Sequence, residues 1–122
     1  MTEQEAIRYI HSFQRFSARP TLERIRRLLA LLGNPQERLR VVHVAGTNGK
    51  GSVCAMTAAA LAQAGYRTGL FLSPYVLEFR ERMQLDGRMI PPEELAEQVE
   101  RVRPLAQQVE DLNEFELITA MG

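Results

Sequence analysis

The chain has 122 residues, 45% of them hydrophobic and 25% charged, and its 15 basic and 15 acidic side chains cancel to a formal net charge of zero. That length suffices for one domain with a buried core, and the balanced charge gives no bulk electrostatic support to nucleic-acid binding. A single cysteine, Cys54, excludes an intrachain disulfide and suits a reducing cytoplasm, while the acidic start Met1-Thr2-Glu3-Gln4-Glu5 and the shortness of every apolar stretch argue against a signal peptide or a membrane span.

In chain order, Ala6, Ile10, Phe13 and Phe16 recur at helical spacing and predict a first amphipathic helix. Leu22, Ile25, Leu28, Leu29 and Leu32 predict a second, with Arg24, Arg26 and Arg27 as a solvated face, and Gly33-Asn34-Pro35 as its stop. Residues 39–45 hold Val41, Val42 and Val44, a β-branched run that reads as a buried parallel strand with His43 as a core histidine. A glycine-rich loop follows. The Ala-rich run 53–64, ending at Gly65, predicts a helix in which Cys54 is small core packing, and 68–72 predicts a second strand ending at Ser73-Pro74. Strand, loop, helix and strand make a βαβ unit and imply a parallel α/β sheet. Within 83–90, Asp86-Gly87 signals a small hairpin. Pro91-Pro92-Glu93-Glu94 opens a long helix whose apolar face is Leu95, Val99, Val102, Val109 and Leu112, and Pro104 is expected to kink or split it. A further apolar helix starts near Phe115. Two strands make a poor parallel sheet, so the chain is expected to be the front part of a larger protein.

Fourteen of the fifteen basic residues are arginine; the one lysine, Lys50, lies in Gly46-Thr47-Asn48-Gly49-Lys50-Gly51-Ser52. A compact ammonium suits a point contact with phosphate oxygens. Glycines let the backbone approach a ligand closely and turn successive N–H groups into a concave anion site, which the N-terminus of the following helix reinforces. Lys50 would reach the β- and γ-phosphates of a nucleotide, and the Ser52 hydroxyl would meet phosphate or magnesium. The strict Walker pattern is not matched: Val44 stands where its first glycine belongs and Gly51 fills its Ser/Thr position. The loop is a shortened variant. A P-loop kinase or switch NTPase would want an acidic residue after the second strand, where Ser73 stands instead. A non-catalytic nucleotide-binding module remains an alternative.

Val42-His43-Val44-Ala45 with the loop closely resembles the nucleotide loop of the folylpolyglutamate synthase/dihydrofolate synthase family of the Mur ligase superfamily. Three further segments resemble that family in order and spacing: Leu22-Glu23-Arg24-Ile25 with Leu32-Gly33-Asn34-Pro35-Gln36; Ser73-Pro74 with Phe79-Arg80-Glu81-Arg82; and Glu114-Phe115-Glu116 with Thr119-Ala120. The resemblance implies an α/β fold, the N-terminal part of a P-loop-containing parallel-sheet ATPase domain that is three-layered (αβα) in the parent. Residues 1–38 would be a helical lead-in and 39–122 the first part of the ATP-binding domain. It also implies a cytoplasmic, monomeric parent that uses ATP and Mg²⁺ to join glutamate to folate or dihydropteroate through an acyl phosphate, without nucleic-acid or membrane partners. On the same ground Gly46, Thr47, Asn48, Gly49, Lys50, Gly51 and Ser52 would hold the ATP phosphates, with Lys50 catalytic. Ser73 and Glu116 would be the magnesium ligands, and Arg82 would lie on the folate side. A Mur-type cell-wall ligase is a near alternative, disfavoured by the 45 residues that precede Gly46. Tyr75 replaces the family's usual histidine after Ser-Pro, and Pro20-Thr21 stands where a glycine is usual. The fragment alone is expected not to ligate.

Overall fold

The computed structural model describes residues 1–15, 17, 19–73 and 77–122. Residues 1–40 and 92–122 form one compact unit, and 41–91 form another.

The first unit is helical: α1 (Glu3–His11), α2 (Glu23–Leu31), α4 (Pro92–Ala106) and α5 (Glu114–Met121). Its start is fixed by a capping box, in which the Thr2 hydroxyl accepts from the Glu5 N–H and the Glu5 carboxylate accepts from the Thr2 N–H. α2 stops where the sequence places its stop, with Gly33 (φ +87°) and Asn34 (φ +53°) both left-handed, after which Pro35–Arg38 forms a 3-10 turn. Ile10, Leu28, Leu95, Val99, Val102, Leu117 and Ile118 are the largest fully buried side chains. Each contributes about 1.5–3 kcal/mol relative to exposure. α1 packs against α4, where the Arg103 guanidinium lies 5.1 Å from the Tyr9 ring centroid. Among the described residues the buried Tyr9 hydroxyl has no hydrogen-bond partner, and burial pushes its pKa up while Arg103 pulls it back. α4 ends two residues past Pro104. Val109 and Leu112, expected on its face, lie beyond that end but are buried all the same. Phe16, placed on the first helix by its spacing, lies outside the described residues.

The second unit holds α3 (Lys50–Gln63), β1 (Gly69–Phe71), β2 (Met83–Leu85) and β3 (Arg88–Met89). The hairpin forms as expected: Asp86 (φ +51°) and Gly87 (φ +82°) are both left-handed, as a two-residue type I′ connection demands. Asp86 also accepts the Thr68 N–H at 2.8 Å, which ties the turn to the start of β1.

The α/β class stands, but the described sheet is antiparallel, in the order β1-β2-β3 with Phe71 opposite Met83. The expected parallel strand at 39–45 is not formed: these residues join no sheet, and Val41 and Val42 are 73% and 68% exposed. His43 is likewise exposed, so it is not a core histidine. A run that is apolar on both faces becomes a strand only between covering layers and paired neighbours; here β1 pairs with the nearby hairpin instead. For the same reason α3 buries none of its residues, and Cys54 is only half-buried.

Candidate functional site

In the second unit the glycine loop leads straight into α3. Gly49 is the N-cap, left-handed at φ +75°, and its carbonyl accepts the Val53 N–H at 2.9 Å, so the helix begins at Lys50. Thr2 and Asn113 cap α1 and α5 with side-chain oxygens, and Thr21 accepts the Glu23 N–H at the start of α2. No described side chain caps α3, and its first turn contains no acid. The unbonded N–H groups at its start, with the positive end of the helix dipole, are left available to an anion. Lys50 bends back over the loop, with Nζ donating to the Gly46 carbonyl at 2.5 Å. Gly46 to Ser52 are all exposed.

Ser73 and Arg82 meet in this unit. The Arg82 guanidinium is buried, donating through Nη2 to Ser73 Oγ at 2.9 Å and through Nε to the Leu72 carbonyl at 3.4 Å, with the Phe79 ring 5.6 Å away. The other charged side chains of 78–82 are also tied down, with Arg80 paired to Glu78 at 2.7 Å. Glu81 accepts the Leu77 and Glu78 N–H groups at 2.7 and 2.8 Å, and Arg80 donates to the Ile90 carbonyl at 3.0 Å. Pro74 and Tyr75 lie outside the described residues.

Glu116 sits in the first unit and is buried. It is the third residue of α5, and it completes a capping box: its N–H donates to Asn113 Oδ1 at 2.8 Å while its Oε1 accepts the Asn113 N–H at 3.2 Å. Arg24 Nε donates to the same Oε1 at 2.9 Å, and both side chains are nearly buried, at 12% and 8% exposure. Arg24 is held from its other end by the Arg19 carbonyl at 2.8 Å and by Asp111 at 3.8 Å. A groove of about 510 Å³ opens here, bounded by Ser17, Pro20, Thr21, Leu22, Ile25 and Phe115 with Arg24, Asn113 and Glu116. A second hollow, of about 650 Å³, lies between α3 and the hairpin, lined by Ala58, Ala62, Tyr66 and Gln84, and touches none of residues 46–52.

Comparison with known proteins bears on the whole chain. It is 39% identical to the dihydrofolate synthase/folylpolyglutamate synthase of Bacillus subtilis, over 96% of this chain and 28% of that protein. It is 44% identical to the folylpolyglutamate synthase of Lacticaseibacillus casei, over 100% of this chain and 30% of that protein. The chain belongs to the folylpolyglutamate synthase/dihydrofolate synthase family. The backbone of a folylpolyglutamate synthetase from Lactobacillus casei superposes on it with a TM-score of 0.92 at 39% identity, covering 99% of this chain and 32% of that one. A folylpolyglutamate synthase solved with AMPPCP and folate gives 0.91 at 41% identity, covering 99% and 31%. The chain thus spans about a third of the length of the family members it matches. No protein-family profile matches it.

The glycine loop, Ser73 and Arg82 lie in one unit, and Glu116 lies in the other. Two residues around Glu116 were given no site role from sequence, and Arg24, expected on a solvated face with Arg26 and Arg27, is instead nearly buried against Glu116. Asn113 was detectable, because Asn-x-x-Glu before an apolar run is a capping pattern. Arg24 was not, because its partner Glu116 is 92 positions away and its neighbours Arg26 and Arg27 do form an exposed face.

Proposed function

We propose that this chain carries the ATP-phosphate-binding section of an amide-forming ligase that joins L-glutamate to folate or dihydropteroate. The observation that carries the reading is the uncapped start of α3 behind a left-handed Gly49, with Lys50 as its first residue. It occurs in a family whose member with AMPPCP and folate superposes over nearly the whole chain. In this reading the N–H groups of residues 50–52 bind the terminal phosphates. Lys50 leaves the Gly46 carbonyl to neutralise charge as a substrate carboxylate attacks the γ-phosphorus and ADP departs. The resulting acyl phosphate is the electrophile for the glutamate amine, and phosphate is then released.

Magnesium fits the oxygen donors present. Among the described residues no cluster of three or more His, Cys, Asp or Glu side chains stands ready for a metal. Magnesium takes one or two protein oxygens and fills its octahedron with water and phosphate. Ser73 and Glu116 are the proposed protein ligands, and the ion would supply charge neutralisation on the triphosphate. Arg82, holding Ser73 Oγ, is proposed to face the folate side. The 122-residue chain is proposed to bind nucleotide but not to turn over, with catalysis belonging to a longer, monomeric, cytoplasmic protein. Among the described residues no helix is long and apolar enough to cross a membrane.

Calorimetric titration with AMPPCP tests the reading. Lys50→Ala removes a charge-assisted bond of about 1.5–3 kcal/mol and should weaken binding roughly 10- to 150-fold. Lys50→Arg should also bind weakly, since a planar guanidinium does not reproduce the ammonium's compact contact. Unchanged affinity in the alanine variant would sink the proposal.

A further inference from the structure

We propose that Asn48 is a modification site: its side-chain amide is lost spontaneously through attack by the Gly49 backbone nitrogen, and the carboxylate left behind disables the glycine loop. The step needs only water. As the Gly49 nitrogen gives up its proton to solvent, it bonds to Asn48 Cγ; the Cγ–Nδ2 bond breaks and ammonia departs. Water then opens the resulting five-membered imide at either carbonyl. One opening gives aspartate. The other gives isoaspartate, in which the main chain runs through the former side chain. Asparagine is chemically labile for this reason, and a following glycine favours the attack because it has no Cβ to shield the nitrogen.

The chain has three asparagines, Asn34, Asn48 and Asn113, and the structure separates them. Asn34 precedes Pro35, whose nitrogen has no proton to give up, and its Oδ1 accepts from Gln36 Nε2 at 3.2 Å. Asn113 is buried, with Oδ1 accepting the Glu116 N–H at 2.8 Å and Nδ2 donating to Ser17 Oγ at 3.1 Å. The nitrogen that would attack it, that of Glu114, donates to the Gln14 carbonyl at 2.8 Å. At Asn113, then, both reacting groups are held. At Asn48 neither is: among the described residues nothing hydrogen-bonds the Asn48 amide or the Gly49 N–H, and both residues are exposed.

The place of the product gives the reaction its consequence. A carboxylate at position 48 stands two residues before Lys50, at the uncapped start of α3. It would take the Lys50 ammonium and the positive end of the helix for itself, and it would repel an incoming anion. Isoaspartate also adds a main-chain atom just before the left-handed Gly49. This consequence rests on the proposal that the loop binds ATP phosphates; the modification itself does not. A phosphate bonded to the Gly49 N–H would withhold the attacking nitrogen, so an occupied loop is spared and an empty one loses its function with time.

The test incubates the 122-residue chain in mildly alkaline buffer, with and without AMPPCP, and follows each asparagine by peptide mass mapping. Isoaspartyl methyltransferase labelling counts the isoaspartate, and circular dichroism confirms that the chain stays folded. Asn48 should convert roughly tenfold faster or more than Asn113, whose hydrogen bonds must open first, and AMPPCP should slow it. The aged chain should bind AMPPCP more weakly in calorimetry, and Asn48→Asp should weaken binding about fivefold or more through charge repulsion alone. Asn48→Gln, which could close only a six-membered ring, should keep on ageing whatever affinity its fresh sample has. An Asn48 that stays intact, or converts no faster than Asn113, overturns the proposal, as does an Asn48→Gln chain that ages like wild type. If Asn48 converts but the aged chain and Asn48→Asp bind AMPPCP as fresh wild type does, the claim that the product disables the loop is overturned. If fresh wild type binds no AMPPCP, the phosphate-binding reading and the consequence drawn from it fall, while the peptide map still decides whether Asn48 is the modified residue.

Discussion

Replacing Glu116 should destabilise the metal-free protein as well as disable any metal chemistry. The carboxylate accepts one bond from a charged donor, Arg24 Nε at 2.9 Å, and one from the Asn113 N–H at 3.2 Å, at a site only 8% exposed. A bond to a charged group contributes about 1.5–3 kcal/mol and a neutral one about 1 kcal/mol. Glu116→Gln retains an acceptor oxygen that both donors can reach and loses only the charge, which sets its cost at about 1–2 kcal/mol. Glu116→Ala removes the partner of a nearly buried guanidinium, a change that costs about 3–5 kcal/mol where nothing compensates. Arg24 keeps the Arg19 carbonyl and Asp111, which places the alanine variant near the lower bound of that range. With a urea m-value of about 2 kcal/mol/M, the midpoint should fall by about 0.5–1 M for Gln and about 1.5 M for Ala. Equilibrium unfolding followed by helical circular dichroism, in chelator so that no metal contributes, measures both. Midpoints equal to wild type, or a glutamine variant less stable than the alanine one, would refute the argument that Arg24 and the capping box are satisfied by this carboxylate.

Three further outcomes follow from the geometry. Gly49→Ala places a side chain at φ +75°, where a Cβ would meet nothing within 4 Å; its penalty is conformational, about 1–2 kcal/mol, and should appear as weaker AMPPCP binding in calorimetry, whereas Gly51→Ala, inside α3, should raise thermal stability slightly by replacing a helical glycine. Tyr9 should titrate above the ordinary phenol value of about 10, because burial outweighs the opposing pull of Arg103. Its folded pKa exceeds the unfolded one, so its contribution to stability is complete below the unfolded pKa and is lost as pH rises through the folded one. Ultraviolet absorbance should resolve it from exposed Tyr66, and Arg103→Gln should push it higher still. Leu117→Ala, at a fully buried position, should cost about 2–5 kcal/mol in denaturant unfolding.

The elements that were legible are those whose signals are local. The stop at Gly33-Asn34, the Asp86-Gly87 hairpin, the helix after the glycine loop and the apolar helix near Phe115 each depend on neighbours within a few positions. The strand at 39–45 misled because β-branched residues report a preference for being covered, while the cover itself must come from elsewhere. The pairing of β1 with β2, and the return of α4 and α5 to α1 and α2, depend on distant partners that a one-dimensional pattern does not name. The candidate site divides the same way: the glycine loop is a contiguous motif, whereas the Arg24–Glu116 pair joins positions 92 apart. The Ser73–Arg82 contact was accessible only as two separate residues.

The helical unit is assembled from two stretches of chain, 1–40 and 92–122, with about fifty residues between them. During synthesis α1 and α2 emerge first and must wait, with Ile10 and Leu28 uncovered, until the ribosome has delivered α4 and α5. At elongation rates of roughly 5–20 residues per second that delay lasts several seconds, long enough for a chaperone to engage the waiting helices. Closing the intervening loop also adds an entropic toll of about 3.5 kcal/mol beyond a constant term, which should slow refolding of the helical unit from denaturant. A circular permutant that joins residue 122 to residue 1 and opens the chain between 41 and 91 would make the four helices contiguous and should refold faster.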